Sequence, residues 1–372
     1  MHRSELSLLA DADVCEAEDS VLRGIRDRAG AADRGEQSLA LDLCALHDAG
    51  ILAAVVAHTG LGGDTGAGVR LLRRLGRASL AVGRIVEGHA NALRLIELYG
   101  TPRQRSALGA MAAEGGIFGV WGAEGREPVT FAATRRGSGV LTGAKMFCSG
   151  LGLLSMAVVP VQTGSKPLLL LAHVDVSDRA DASVWNVSGM RATASGRYDL
   201  TGVVAEVLGR PGDYLREPHF EGGIWRYCAL HCGGLEALAE GVRRHLMARG
   251  QSEQPLQSER LARMVLLAET ARLWVEASGA AVERAAVTGG NDVCAALTQA
   301  LLARQAVETA CIEGIALTER AMGTAAFAAA SEVDRIRRDL GFFLRQANLD
   351  GKLKQAADAL LADPAPVGEM WS

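Results

Sequence analysis

The spacing of apolar residues along this chain changes twice. Up to about residue 114 they recur every three or four positions, between about 115 and 212 they fall into short strand-like runs, and from about 217 to 363 the helical spacing returns. In the first stretch Leu71, Leu72, Leu75, Leu80, Ile85, Leu93, Ile96 and Leu98 predict two helices within 66–99. Leu41, Cys44 and Ala45 lead to Ala49-Gly50, read as a helix ending at a glycine, and 58–63 reads as a loop. Tyr99-Gly100-Thr101-Pro102 predicts a stop and a restart, with Thr101 as N-cap and Pro102 in the first helical position. In the middle stretch strands are predicted at 117–121, 129–134, 140–141, 156–161, 167–174 and 203–208, separated by Gly, Ser and Asp. Helices follow at 224–249, 257–287, 293–321, 333–345 and 351–362, and Pro364 and Pro366 bar any continuation. The pattern divides the chain into a helical domain over 1–114, a β-domain over 115–215 and a helical bundle over 216–372.

Composition agrees with a mainly helical protein. Apolar residues make up 49% of the 372 positions but aromatics only 4%, so Ala and Leu carry the hydrophobicity. That length has room for two or three domains and a large core. The formal net charge is −4 and the arginines are dispersed, which argues against a nucleic-acid groove or a polybasic membrane patch. No run reaches the roughly 18 apolar residues of a membrane span, and Met1-His2-Arg3-Ser4-Glu5 is too polar to begin a secretory signal. The seven cysteines (Cys15, Cys44, Cys148, Cys228, Cys232, Cys294 and Cys311) show no metal-ligand spacing. Reduced thiols in a cytoplasmic protein, with no metal, are expected.

Two segments stand out chemically. Residues 139–150, Gly-Val-Leu-Thr-Gly-Ala-Lys-Met-Phe-Cys-Ser-Gly, read as a β-hairpin turning at Thr142-Gly143. Its end sets Phe147 and Ser149 on one backbone run, a ring able to stack and a hydroxyl able to hydrogen-bond a polar edge. Residues 189–196, Gly-Met-Arg-Ala-Thr-Ala-Ser-Gly, form the second segment, in which Arg191 and Thr193 would on the plainer reading close a turn.

Together these motifs, in a chain that runs helices, strands, helices, resemble the acyl-CoA dehydrogenases and the flavin monooxygenases built on the same fold. The resemblance covers nearly the whole chain. It implies a mainly α fold with an inserted β-domain: an N-terminal helical domain, a middle β-barrel-like domain and a C-terminal four-helix bundle. Lys145-Met146-Phe147-Cys148-Ser149-Gly150 is similar to the family run Lys-x-Trp-Ile-Thr-Asn-Gly, so Phe147 would cover a flavin and Ser149 would bond its reactive centre. The wording of both motifs resembles the dibenzothiophene-desulfurising branch more than the fatty-acid dehydrogenases. Residues 118–125 are similar to the strand and turn that hold the pyrimidine edge, but Trp121 stands where a small hydroxyl residue is usual. Trp121 as a core residue is the alternative. Arg249 keeps the Arg of an Arg/Phe-Gly feature without its Phe-Gly, and Gly323 is the one glycine left of a glycine-rich pyrophosphate segment. Arg249 otherwise reads as a solvated surface cation.

The catalytic Glu of the dehydrogenases falls, by this resemblance, near Gln346-Ala347 or near Trp225, and neither site is acidic. Asp350 and Glu221 are the nearest carboxylates, with Asp350 expected at a turn or cap facing water. The monooxygenases carry a His on an N-terminal helix beside the flavin, which makes His89 a catalytic candidate against a structural reading; Asn91 is expected in solvent or as a cap. The leading expectation is an FAD-dependent oxidoreductase acting on an acyl thioester, with an electron-transfer flavoprotein as partner. The alternatives are a two-component monooxygenase using reduced FMN or FAD from a flavin reductase, and a non-catalytic acyl- or flavin-binding subunit. A homodimer or homotetramer is implied in each case.

Overall fold

The computed structural model describes residues 2–369 apart from 135, 136, 291 and 347, with side chains from residue 18 onward. The side chain of Cys15 and position 347, one of the two weighed for the base, therefore lie outside the described residues.

Six helices come first: α1 (His2–Asp33), α2 (Ala40–Asp48), α3 (Ile51–Thr59), α4 (Thr65–Ala78), α5 (Leu80–Tyr99) and α6 (Pro102–Ala113). Their starts follow local chemistry. The Asp64 carboxylate accepts from the Ala67 N–H at 3.0 Å, the Ser79 hydroxyl from Val82 at 3.3 Å, and Thr101 with Gln104 forms a reciprocal capping box ahead of Pro102. Helix α5 is buried over most of its surface because it lies between the sheet and the C-terminal helices.

Among the described residues nine strands follow: β1 (Phe118–Val120), β2 (Thr130–Ala133), β3 (Ser138–Thr142), β4 (Ala144–Lys145), β5 (Met156–Thr163), β6 (Lys166–His173), β7 (Ala180–Asp181), β8 (Arg197–Asp199) and β9 (Val204–Leu208). They make a six-stranded sheet in the order β1-β5-β6-β9-β3-β2 and a three-stranded sheet in the order β4-β8-β7. The hairpin expected over 139–150 is therefore corrected. Strand β3 pairs with β2 and β9, whereas β4 pairs with β8 in the other sheet. Gly143, at φ 109°, is the corner between them, its carbonyl accepting from Leu200 N–H at 2.9 Å and its N–H donating to the Thr201 hydroxyl at 3.1 Å. A run that reads as out-and-back is a strand that changes sheets.

The rest is helical: α7 (Trp225–Ala248), α8 (Pro255–Thr288), α9 (Asp292–Met322), α10 (Glu332–Phe343) and α11 (Leu349–Ala362). Helix α7 runs through the centre, against α4 on one side and α8 and α9 on the other. Glycines permit the closest of these approaches, since a Cβ on Gly233 would lie 2.1 Å from the Arg73 carbonyl oxygen and one on Gly76 would lie 2.3 Å from that of Leu230. A large apolar core links the helical layers and one face of the sheet, and a second cluster packs the other face, through Phe118, Met156, Val158 and Leu169, against Ile96 of α5 and Leu108 of α6.

Candidate functional site

The two sequence motifs meet edge to edge. Cys148 N–H donates to the Gly196 carbonyl at 2.9 Å, Gly150 N–H to Thr193 at 2.9 Å and Leu151 N–H to Ala194 at 2.8 Å. Phe147 (φ 54°), Met190 (φ 57°) and Ala194 (φ 45°) adopt left-handed backbone here; elsewhere among the described residues only Asn348 does so without being glycine. Each such residue costs about 1–2 kcal/mol, and strain of this kind persists only where surrounding structure enforces it. That structure can be named. Gly189 lies flat on α10, where a Cβ would be 2.1 Å from the Arg338 carbonyl oxygen. Met190 N–H donates to the buried Asp339 carboxylate at 2.6 Å. The 3-10 turn Arg191–Thr193 is tied to the end of α1 by Arg191, which donates to Asp33 at 3.0 Å, a carboxylate shared with Arg338 at 2.7 Å.

What the seam presents is an aromatic surface with a hydroxyl beside it. Phe147 is 63% exposed. Its ring stands 6.1 Å from Trp185, edge on, and Trp185 stands 5.4 Å from Phe342 of α10 at 84°. Ser149 is half-buried, and its hydroxyl joins Ser195 at 3.0 Å, which joins Thr193 at 2.8 Å. The exposed ring, the adjacent hydroxyl and the strained backbone fit a planar heteroaromatic group with a polar edge. A flavin is such a group.

Trp121 supports this surface from behind. It is buried against Tyr198 with ring centroids 5.0 Å apart, and its indole N–H donates to the Ser149 carbonyl at 3.0 Å. Lys145 is also buried; it pairs with Glu124 and donates to the Pro160 carbonyl at 2.7 Å, pinning the turn after β1.

His89 lies on α5, and its Nδ1 accepts the backbone N–H of Phe118 at 3.1 Å. Burial, with a smaller contribution from His47, pushes its pKa down to about 4. The imidazole is thus neutral at ordinary pH and is committed to joining α5 to β1. Asn91 is not solvated as expected: it accepts from Arg226 Nε at 2.7 Å and donates to Glu87. Trp225 is buried and donates to Glu283 at 3.1 Å, and the same carboxylate takes Arg226 at 3.3 Å and Arg94 at 2.7 Å. Glu221 is paired with Lys352. Asp350 is exposed in the first turn of α11, and Gln346 is half-buried. Arg249 is exposed just past the end of α7, and Gly323 (φ 59°) is exposed just past α9. The structure thus joins Trp121, Phe147 and Ser149, and gives His89, Asp350, Arg249 and Gly323 no hydrogen bond or ion pair to that seam.

Trp185 and Phe342 are components of the seam that sequence reasoning did not single out. Trp185 had one signal, as one of only five tryptophans in an aromatic-poor chain. Asp339 is buried, which raises its pKa to about 6 against the opposing effect of Arg335, 3.8 Å away. Among the described residues no group of three or more His, Cys, Asp or Glu could hold a metal ion, and burial pushes the Cys148 thiol up to about 12. No single helix among them is long and apolar enough to cross a membrane.

No protein-family model matches the sequence, and no curated protein does. Solved structures do match. The dibenzothiophene monooxygenase of Paenibacillus sp. A11-2 is 19% identical with a TM-score of 0.77, covering 97% of this chain and 100% of that one. The methanesulfinate monooxygenase of Pseudomonas fluorescens is 19% identical with a TM-score of 0.80, covering 96% and 99%. Butyryl-CoA dehydrogenase of Megasphaera elsdenii is 14% identical with a TM-score of 0.77, covering 94% and 98%. With this agreement along nearly its entire length, the chain has the acyl-CoA dehydrogenase fold, which is common to flavin monooxygenases and dehydrogenases.

Proposed function

We propose that this protein is a flavin-dependent monooxygenase that takes reduced flavin as a diffusible co-substrate and oxygenates a small organic molecule. The observation that carries the reading is the strained seam, which presents Phe147 and Ser149 beside Trp185 and Phe342. Phe147 would stack on the isoalloxazine, Ser149 would hydrogen-bond its central ring, and Trp185 with Phe342 would buttress the Phe147 ring. A bound reduced flavin supplies the two electrons that let dioxygen deliver one oxygen atom to substrate and one to water. The Paenibacillus enzyme of this fold has a structure with FMN and indole, which supports a flavin and a small planar substrate. Gly323 and Arg249 stand exposed at helix ends, so the isoalloxazine half of the cofactor is what this chain's seam would engage.

The acyl-thioester dehydrogenase that led the sequence expectations is less well supported. Removal of an α-proton needs a carboxylate free to accept it. Here the two family positions hold Trp225 and Gln346, Glu221 pairs with Lys352, and Asp350 faces solvent. Exposed Leu266 and Leu273, a heptad apart on α8, support association of copies through the bundle.

Anaerobic titration with reduced FMN tests the reading. Binding should be measurable by flavin fluorescence, and Phe147→Ala and Ser149→Ala should each weaken it by roughly the worth of one contact, about 1 kcal/mol or a factor of about five. Absence of binding in both redox states, or wild-type affinity in both variants, would overturn it.

A further inference from the structure

Four arginines are buried among the described residues, and one of them differs from the rest. Arg94 donates to the Thr59 carbonyl at 2.9 Å, Arg226 to the Asn91 side-chain oxygen at 2.7 Å and Arg304 to the Leu344 carbonyl at 2.6 Å. Arg335, in the first turn of α10 and 4% exposed, donates no side-chain hydrogen bond to any described residue. Its ion-pair partner Asp339 is 3.8 Å away, beyond hydrogen-bond length, and takes the Met190 N–H at 2.6 Å. A guanidinium only donates, and buried donors left unmet are costly. Arg335 lines a cavity of about 300 Å³ between α1, the last turns of α7 and the start of α10.

The start of α10 adds further donors there. Ser331 Oγ accepts the Val333 N–H at 3.1 Å, which leaves its own proton to donate, and the Glu332 and Asp334 N–H groups have no acceptor among the described residues. Three carboxylates border the same space, and two are already held. Asp33 takes Arg191 at 3.0 Å and Arg338 at 2.7 Å, and Glu332 takes Arg244 at 2.7 Å. The third, Asp27, is exposed, where water weakens its field. Arg26 adds a loosely held cation, 4.0 Å from Glu332. Donors from a guanidinium fork, a hydroxyl and a helix end suit a tetrahedral oxyanion better than a flat carboxylate.

We propose that this cavity binds a phosphate-type dianion, as free phosphate or as the phosphate of a monoester, with Arg335 as its principal ligand. The site does not depend on the flavin reading above. Arg335 offers its N–H groups to the oxyanion, Ser331 and the first-turn amides of α10 serve its other oxygens, and Arg26 adds long-range attraction.

The test is calorimetric titration of the full-length protein with inorganic phosphate, with chloride holding the ionic strength constant. Arg335→Gln should weaken phosphate binding about ten- to a hundredfold, the range for hydrogen bonds to a charged group. Arg26→Gln should weaken it about two- to fivefold, as an exposed charge does. The Arg26 variant decides the matter even if Arg335→Gln folds poorly, which its thermal unfolding would reveal. Arg284→Gln, exposed on α8 away from the cavity, should leave binding unchanged. Competition separates the two sources of the dianion. If phosphate displaces FMN but not riboflavin, the monoester is the cofactor's own; if phosphate and FMN bind together, it is a separate ligand. Absence of phosphate binding by the wild type, or undiminished binding in both the Arg335 and Arg26 variants, overturns the site and leaves the flavin reading intact.

Discussion

In the β-domain, 145–150 and 189–196 hold three non-glycine residues at positive φ and carry an exposed ring beside a half-buried hydroxyl. Among the helices, the polar groups are turned on one another: Glu283 with Arg94 and Arg226, Glu87 with Arg84 and Asn91, Glu221 with Lys352. A carboxylate already engaged by a cation is not free to meet a substrate proton, which a general base must reach directly or through one water. The seam thus presents a ring and a hydroxyl, whereas these helical carboxylates are each taken up by cations or amides.

The contrast breaks first at His89, if that residue is catalytic after all. The account makes it a neutral structural acceptor with its pKa lowered from 6.5 to about 4. The unfolded chain takes up a proton below pH 6.5 that the folded chain refuses until about pH 4. Stability is therefore retained above that window and lost as pH falls through it, by up to about 3 kcal/mol. His89→Asn keeps an acceptor for Phe118 and should flatten the pH dependence of urea unfolding between 6.5 and 4 relative to wild type. It should also retain turnover; loss of turnover at unchanged stability would return His89 to the catalytic machinery.

The second effect in size belongs to the seam. Gly189→Ala forces a Cβ against the Arg338 carbonyl oxygen and should destabilise by about 2–3 kcal/mol, as overpacking does. Gly109→Ala, in α6 with nothing within 4 Å of a built Cβ, should be neutral or stabilising by up to about 1 kcal/mol. Thermal unfolding of the two variants side by side would show whether the seam is the tightly specified region it is argued to be.

The layers of the fold were legible because apolar spacing reports which face of an element is buried, and all six strands expected from sequence lie where a strand is found. The short strands β4, β7 and β8 were not legible, since two or three residues carry no period. The sheet change at Gly143 was hidden for another reason: a glycine between two strands looks the same whether the chain folds back or crosses over. Phe147 and Ser149 could be named from their motif. Trp185 lies in an irregular loop and Phe342 on a helix, so their meeting with Phe147 is set by tertiary packing alone. Asn91 reads as a polar surface residue until Arg226 is seen to fold onto it from 135 positions away.

A smaller effect sharpens the role of the strained ring. Phe147→Gly removes the ring and also relieves the left-handed backbone, whereas Phe147→Ala removes only the ring. The glycine variant should be the more stable by about 1 kcal/mol, with both equally impaired in flavin binding. If the alanine variant is the more stable, the strain is not real. Least of all should change on the helical side: Glu221→Gln and Asp350→Asn should alter turnover less than about twofold, because neither carboxylate is free to meet substrate.

The central contrast is tested most directly by mixing the flavin-loaded protein anaerobically with butyryl-CoA and following the flavin absorbance. With Trp225 and Gln346 at the two family base positions and Glu221 paired with Lys352, the yellow colour is expected to persist. Rapid bleaching, abolished by Glu221→Gln or Asp350→Asn, would contradict the account and make this chain a dehydrogenase.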